Sequence, residues 1–159
     1  MVVALTEEQV MIQDMAANFA KERLLPGAPE WDAQKHFPLE EMREAAQLGF
    51  GGIYTGETHG GTGLSRFDAA LIFEQLSQGC PSTAAFISIH NMVTWMIDAF
   101  GSDDLRAQYV PELVTMGKIG SYCLTEPSSG SDAGGMKTKA IKDGDVYKLT
   151  GTKQFISGA

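Results

Sequence analysis

The segment Gly120–Gly135, GSYCLTEPSSGSDAGG, gathers the residues of this 159-residue chain best suited to hold a ligand. Ser128, Ser129 and Ser131 offer hydroxyls, and Glu126 offers a carboxylate that could serve as a base. Pro127 has no N–H and biases Glu126 away from helix. Gly130, Gly134 and Gly135 let a backbone approach a ligand closely. Amides and hydroxyls in such a loop suit phosphate or carbonyl oxygens. Composition alone favours a solvated serine-glycine loop, so the order of the residues has to decide.

Other candidates have less behind them. His90 has no second histidine at i+4, where Thr94 stands, so it reads as a satisfied structural histidine. His59 is isolated in a glycine-rich bend and reads as solvated. Gly60-Gly61-Thr62-Gly63 suggests a phosphate loop but lacks a preceding strand, a Lys-Ser/Thr pair and a G-x-G-x-x-G frame. Glycines at positive φ explain it better. Cys80 and Cys123 stand in no metal-binding spacing, so reduced thiols and no metal site are expected.

Twelve Lys and Arg against twenty Asp and Glu give a net charge of −8 without a basic stripe. Nucleic acid and anionic membrane surfaces are therefore disfavoured partners. The longest apolar region, Ala84–Phe100, is interrupted by Ser88, His90, Asn91 and Asp98 and is no membrane span. Met1-Val2-Val3-Ala4-Leu5 lacks the marks of a signal or transit peptide, which points to a cytoplasmic protein or one already stripped of a targeting sequence.

The elements that must position these residues are mostly helical. Thr6-Glu7-Glu8-Gln9 is a capping box, and Met11, Met15 and Phe19 mark a buried face ending at Pro26-Gly27. Trp31–Phe37 reads as a connection. Pro38 opens a second helix that runs to Leu48, with Gly49 as its left-handed terminus. Ser65-Arg66-Phe67-Asp68 caps a third helix, and Pro81 opens a fourth, apolar almost all round and therefore central. Ser102 caps a fifth, which Pro111 should kink or break. After Lys118 the pattern changes to strands at Ile119–Leu124, Thr138–Lys142, Val146–Leu149 and Lys153–Ser157, with Asp143-Gly144 as a hairpin turn. The fold class is mainly α: a helical bundle over residues 1–118, then over 119–159 the first strands of a truncated β-barrel-like domain.

Y-C-L-T-E-P-x-x-G-S-D resembles the flavin loop of the acyl-CoA dehydrogenase family. The resemblance runs through Trp31-Asp32, Phe37-Pro38, Ala45–Gly52, Gly60–Arg66, Ile87–Met92 and Lys153-x-Phe155–Ala159, and is nearest to the isobutyryl-CoA branch. It covers essentially the whole chain but less than half of the family's usual length. It implies FAD as cofactor, an acyl-CoA thioester oxidised to its α,β-enoyl form, electron-transfer flavoprotein as electron acceptor, and a homo-oligomer, a homotetramer, at full length. Tyr122, Cys123, Leu124 and Thr125 fall on the flavin backbone contacts, and Ser131 on a contact with FAD and the thioester arm. Phe155, Ile156 and Ser157 match a second flavin segment, with Phe155 and Ser157 where many relatives have tryptophan and threonine. By analogy Ala84, Ala85 and Ser88 border the acyl pocket.

The resemblance assigns the catalytic base to a C-terminal domain without counterpart here. No residue of this chain is then catalytic, and Glu126 is a structural acceptor. Two alternatives stand beside this reading: a catalytically silent helical binding or assembly module, and a dehydrogenase for another short acyl chain. The compartment implied is the bacterial cytoplasm or the mitochondrial matrix.

Overall fold

The computed structural model describes residues 4–158. Met1-Val2-Val3, part of the N-terminal reading, and Ala159, the end of the last matched segment, lie outside the described residues. The chain divides into two compact units, Met1–Gly120 and Ser121–Ala159.

Six α-helices build the first unit among the described residues: α1 Glu7–Phe19, α2 Ala28–Gln34, α3 Leu39–Gln47, α4 Arg66–Gly79, α5 Pro81–Phe100 and α6 Asp103–Val114. Local signals set most of their starts. Thr6 and Gln9 close a reciprocal cap on α1, with Gln9 N–H donating to Thr6 Oγ1 at 3.2 Å and Thr6 N–H to Gln9 Oε1 at 3.1 Å. Ser65 and Asp68 do the same for α4, and Ser102 caps α6. α1 widens into a π-turn at Ala20–Leu24 that packs against α4; α4 packs on α5, and α5 on α6.

Of the face expected from Met11, Met15 and Phe19, only Phe19 is buried. Met11 is 71% exposed, and Ala16, Phe19 and Ala20 enter the core, with Ile12 packed against it. Residues four apart drift by 40° per step, so the line through Met11 and Met15 starts in solvent and reaches the core only at Phe19, beside Ala16 and Ile12. Trp31 lies within α2 rather than in a connection, its ring covering Gly27. Pro111 does not break α6. One backbone donor is missing there, and burial of Val110, Leu113 and Val114 holds the helix together.

Between α3 and α4 the chain makes a tight bend. Gly49, Gly60 and Gly63 take positive φ as expected, whereas Gly61 does not. Gly51 is required for close approach, since a Cβ there would lie 2.1 Å from the Val114 carbonyl oxygen. Asn91 of α5 pins the bend, accepting from Ile53 N–H at 2.7 Å and donating to Phe50 O at 2.8 Å and Ile87 O at 2.9 Å. Ala16, Leu24, Met42, Phe50, Ile72 and Ile87 centre the core around it.

The second unit holds one antiparallel hairpin, β1 Lys139–Asp143 with β2 Val146–Thr150. Its loop is Gly144-Asp145, one residue later than expected, with Gly144 at φ +62° in the first central place that a II′-type turn reserves for glycine. Ile119–Leu124 and Lys153–Ser157 are not strands. Neither has a ladder partner among the described residues, and Phe155 at φ +58° interrupts the extended conformation of the latter.

Candidate functional site

Two irregular stretches of the second unit lie side by side. Gln154 N–H donates to the Thr125 carbonyl at 2.8 Å, and Lys153 Nζ donates to the Leu124 carbonyl at 3.0 Å. The two stretches therefore meet on one ledge where Leu124-Thr125 faces Lys153-Gln154. Among the described residues, the N–H groups of Tyr122, Cys123, Leu124 and Thr125 donate to no protein acceptor, nor do those of Phe155, Ile156 and Ser157. Phe155 carries its ring 85% exposed on a left-handed backbone. A bulky residue there is a conformational outlier of the kind that structures retain at binding sites. Open amides along an edge and an uncovered ring beside them fit a planar heterocycle with polar edges, as the isoalloxazine of FAD is.

The loop beyond Thr125 is held from within. Glu126 and Ser129 exchange backbone hydrogen bonds, 2.8 Å from Glu126 N–H and 3.1 Å from Ser129 N–H, which closes a turn over Pro127-Ser128. The Ser129 hydroxyl donates to the Asp132 carbonyl, so only Ser128 and Ser131 present exposed hydroxyls. Glu126 is 5% exposed and accepts from Lys137 N–H at 2.6 Å, Thr138 N–H at 3.0 Å and Lys153 Nζ at 2.9 Å. Thr138 foremost, then the Lys137 amide and the Lys153 ammonium, hold this carboxyl down at about 2. A carboxylate so weakly basic, with both oxygens occupied, is unsuited to proton abstraction.

In the helical unit Ala84 sits in the core, while Ala85 is exposed and Ser88 half-buried, the Ser88 hydroxyl donating to the Ala85 carbonyl at 2.8 Å. Ala85 and Ser88 thus share one stripe of α5, and Ala84 belongs to another. His90 is fully buried, its Nδ1 accepting from Gly120 N–H at 3.1 Å and its Nε2 lying 2.8 Å from the Leu113 carbonyl. A backbone N–H can only donate, so the proton is on Nε2 and the ring is neutral. Burial pushes its pKa below the ordinary histidine value, with the Leu113 carbonyl opposing. No group of His, Cys, Asp and Glu that could hold a metal ion occurs among the described residues. No described helix is long and apolar enough to cross a membrane.

Lys153 is the site residue that sequence reasoning missed. It meets Glu126 across 27 positions, and no local spacing announces such a pair.

A helix-rich domain continued by an antiparallel hairpin defines the class of molecule. Residues 6–117 match the acyl-CoA dehydrogenase N-terminal domain, and the chain belongs to the acyl-CoA dehydrogenase family of oxidoreductases. It is 57% identical over 156 residues to the mitochondrial isobutyryl-CoA dehydrogenase of Dictyostelium discoideum, and 53% identical over 156 residues to that of Bos taurus. Each match covers 98% of this chain and 38% of the relative, so the chain spans well under half the length of these relatives. Among solved structures, an acyl-CoA dehydrogenase from Bacillus anthracis complexed with FAD is 34% identical with a TM-score of 0.88, covering 96% of this chain and 27% of that one.

Proposed function

We propose that this chain is the N-terminal part of an FAD-dependent acyl-CoA dehydrogenase that oxidises a short branched acyl-CoA of the isobutyryl class to its α,β-enoyl thioester, with electrons leaving to electron-transfer flavoprotein. Residues 1–118 are the helical domain of that enzyme and 119–159 the start of its middle β domain. The observation that carries the reading is the hydrogen bond from Gln154 N–H to Thr125 O, which sets the two flavin-matching stretches on one ledge.

The backbone of Tyr122, Cys123, Leu124 and Thr125 and the Thr125 hydroxyl line the flavin edge. Phe155 and Ile156 cover its face, and the Ser157 hydroxyl stands near the ring. Ser131 reaches both FAD and the thioester arm, and Ala85 and Ser88 border the acyl chain, Ala84 being packed into the core instead. Bound FAD supplies the hydride acceptor. This chain's part is to orient and to exclude water; the base that takes the α-proton belongs to the remainder of the enzyme. The full-length protein is a homo-oligomer of the bacterial cytoplasm or the mitochondrial matrix.

The test is titration of the purified chain with FAD, read by flavin fluorescence and the visible spectrum, followed by an assay for dye reduction with isobutyryl-CoA. Binding without turnover is expected. A chain that leaves the flavin signal unchanged refutes the reading and favours a silent helical module; dye reduction by this chain alone refutes the assignment of the base.

A further inference from the structure

The Lys153 ammonium bridges both halves of the ledge. It donates to the Leu124 carbonyl at 3.0 Å and to Glu126 Oε1 at 2.9 Å, and lies 3.5 Å from Met136 Sδ. Glu126 in turn holds the Lys137 and Thr138 amides, which lead into β1. Within a planar trans peptide the C=O and N–H point in opposite directions. With Leu124 C=O drawn to Lys153, the Thr125 N–H is turned to the far side, away from the ion pair. Thr125 C=O is drawn to Gln154 N–H, and the Glu126 N–H, turned away from it, meets Ser129 O. Two successive peptides are thereby fixed in orientation by residues 153 and 154.

We propose that Lys153 and Glu126 are positioning residues for cofactor binding, an ion pair that orients the Leu124–Thr125 peptide so that its N–H faces the flavin. The inference rests on the flavin reading of the ledge. Neither residue is a flavin contact; both act through the peptide they hold. The ammonium reaches its carbonyl and carboxylate partners through charge-assisted hydrogen bonds, the stronger class, and a neutral side chain cannot replace them. Without them the Leu124–Thr125 peptide is free to rotate, and Phe155, two residues from Lys153, loses its fixed distance from it.

The test compares FAD titrations of the 159-residue chain with those of Lys153→Met, Lys153→Arg and Glu126→Gln. Lys153→Met should bind FAD about tenfold more weakly or worse, with the shape of the visible flavin band altered. Lys153→Arg, which keeps charge and donors, should return to within about threefold of the parent, and Glu126→Gln should fall between. Far-ultraviolet circular dichroism checks that the helical unit is intact. Hydrogen exchange at the Lys137 and Thr138 amides reads the ion pair without any flavin, and should quicken in Lys153→Met and in Glu126→Gln. Parent-like affinity and spectrum in Lys153→Met overturn this inference alone, as does unchanged exchange in both variants. A parent chain that binds no FAD overturns the flavin reading and this inference with it.

Discussion

Replacing Asn91 by Ala should cost the helical unit about 3–5 kcal/mol. The side chain is fully buried and makes three hydrogen bonds, to Ile53 N–H, Phe50 O and Ile87 O. Ile87 O keeps its helical partner when the side chain goes, but the Ile53 N–H and Phe50 C=O are left buried and unpaired. Each orphan costs about 1–3 kcal/mol. The space left by the carboxamide adds to this, and the better helix propensity of alanine returns only about 0.5 kcal/mol. Against a total of about 5–15 kcal/mol for a domain, the loss is large. Urea unfolding followed by circular dichroism at 222 nm reads it directly, because the helices lie in the first unit. Asn91→Asp is the companion: it keeps the acceptor for Ile53 N–H but turns an oxygen toward two carbonyls, so it should be at least as unstable at neutral pH and recover on acidification. If both variants unfold within about 1 kcal/mol of the parent, Asn91 is not what holds the bend on α5.

Phe155→Gly should separate stability from binding. Relief of the left-handed backbone gains about 1–2 kcal/mol, glycine's extra unfolded-state freedom takes back about 0.5–1 kcal/mol, and an 85% exposed ring forfeits little burial. The second unit should therefore be unchanged or slightly firmer by hydrogen exchange, while FAD binds about three- to tenfold more weakly for want of the stacked ring; looser exchange together with undiminished FAD affinity would contradict both halves. Acid should act on the units in different windows. The pKa of His90 lies lower in the folded state than the ordinary 6.5, so the unfolded chain takes the proton first, and stability of the helical unit that is complete above 6.5 is lost as pH falls below it. The slope is at most about 1.4 kcal/mol per pH unit and should vanish in His90→Gln. Glu126 is likewise depressed, from 4.5 to about 2, so its contribution is complete above 4.5 and fades toward 2. Protection of the Lys137 and Thr138 amides should follow that lower window, and a loss beginning near pH 6 would assign it to another group.

How far the sequence could be read depended on the range of the interaction involved. Helix starts came from residues three apart, as Thr6 with Gln9 and Ser65 with Asp68, and the structure keeps both. The face of α1 is not fixed by apolarity, because Met11 and Met15 are as apolar as the buried Ile12, Ala16 and Phe19, and only the position of α4 decides between them. α2 was overlooked because seven residues carry too little periodicity and its main apolar contact, Trp31 on Gly27, is a packing event. Strands at Ile119–Leu124 and Lys153–Ser157 were expected from composition, but a strand exists only through its partner. The flavin-matching residues were legible as a motif. The Glu126–Lys153 pair was not, since folding alone brings it together.

Ile141 stands opposite Lys148 on one face of the hairpin ribbon, and Lys142 opposite Tyr147 on the other, so neither face is wholly oily. Both strands are exposed along their whole length, and each has an outer margin that no other described strand occupies. Such a margin accepts any extended segment that presents itself, another copy included. Lys139 and Lys142, repelling their own kind, are the restraint on that traffic, Lys148 being paired with Asp143, and the restraint weakens as salt is added.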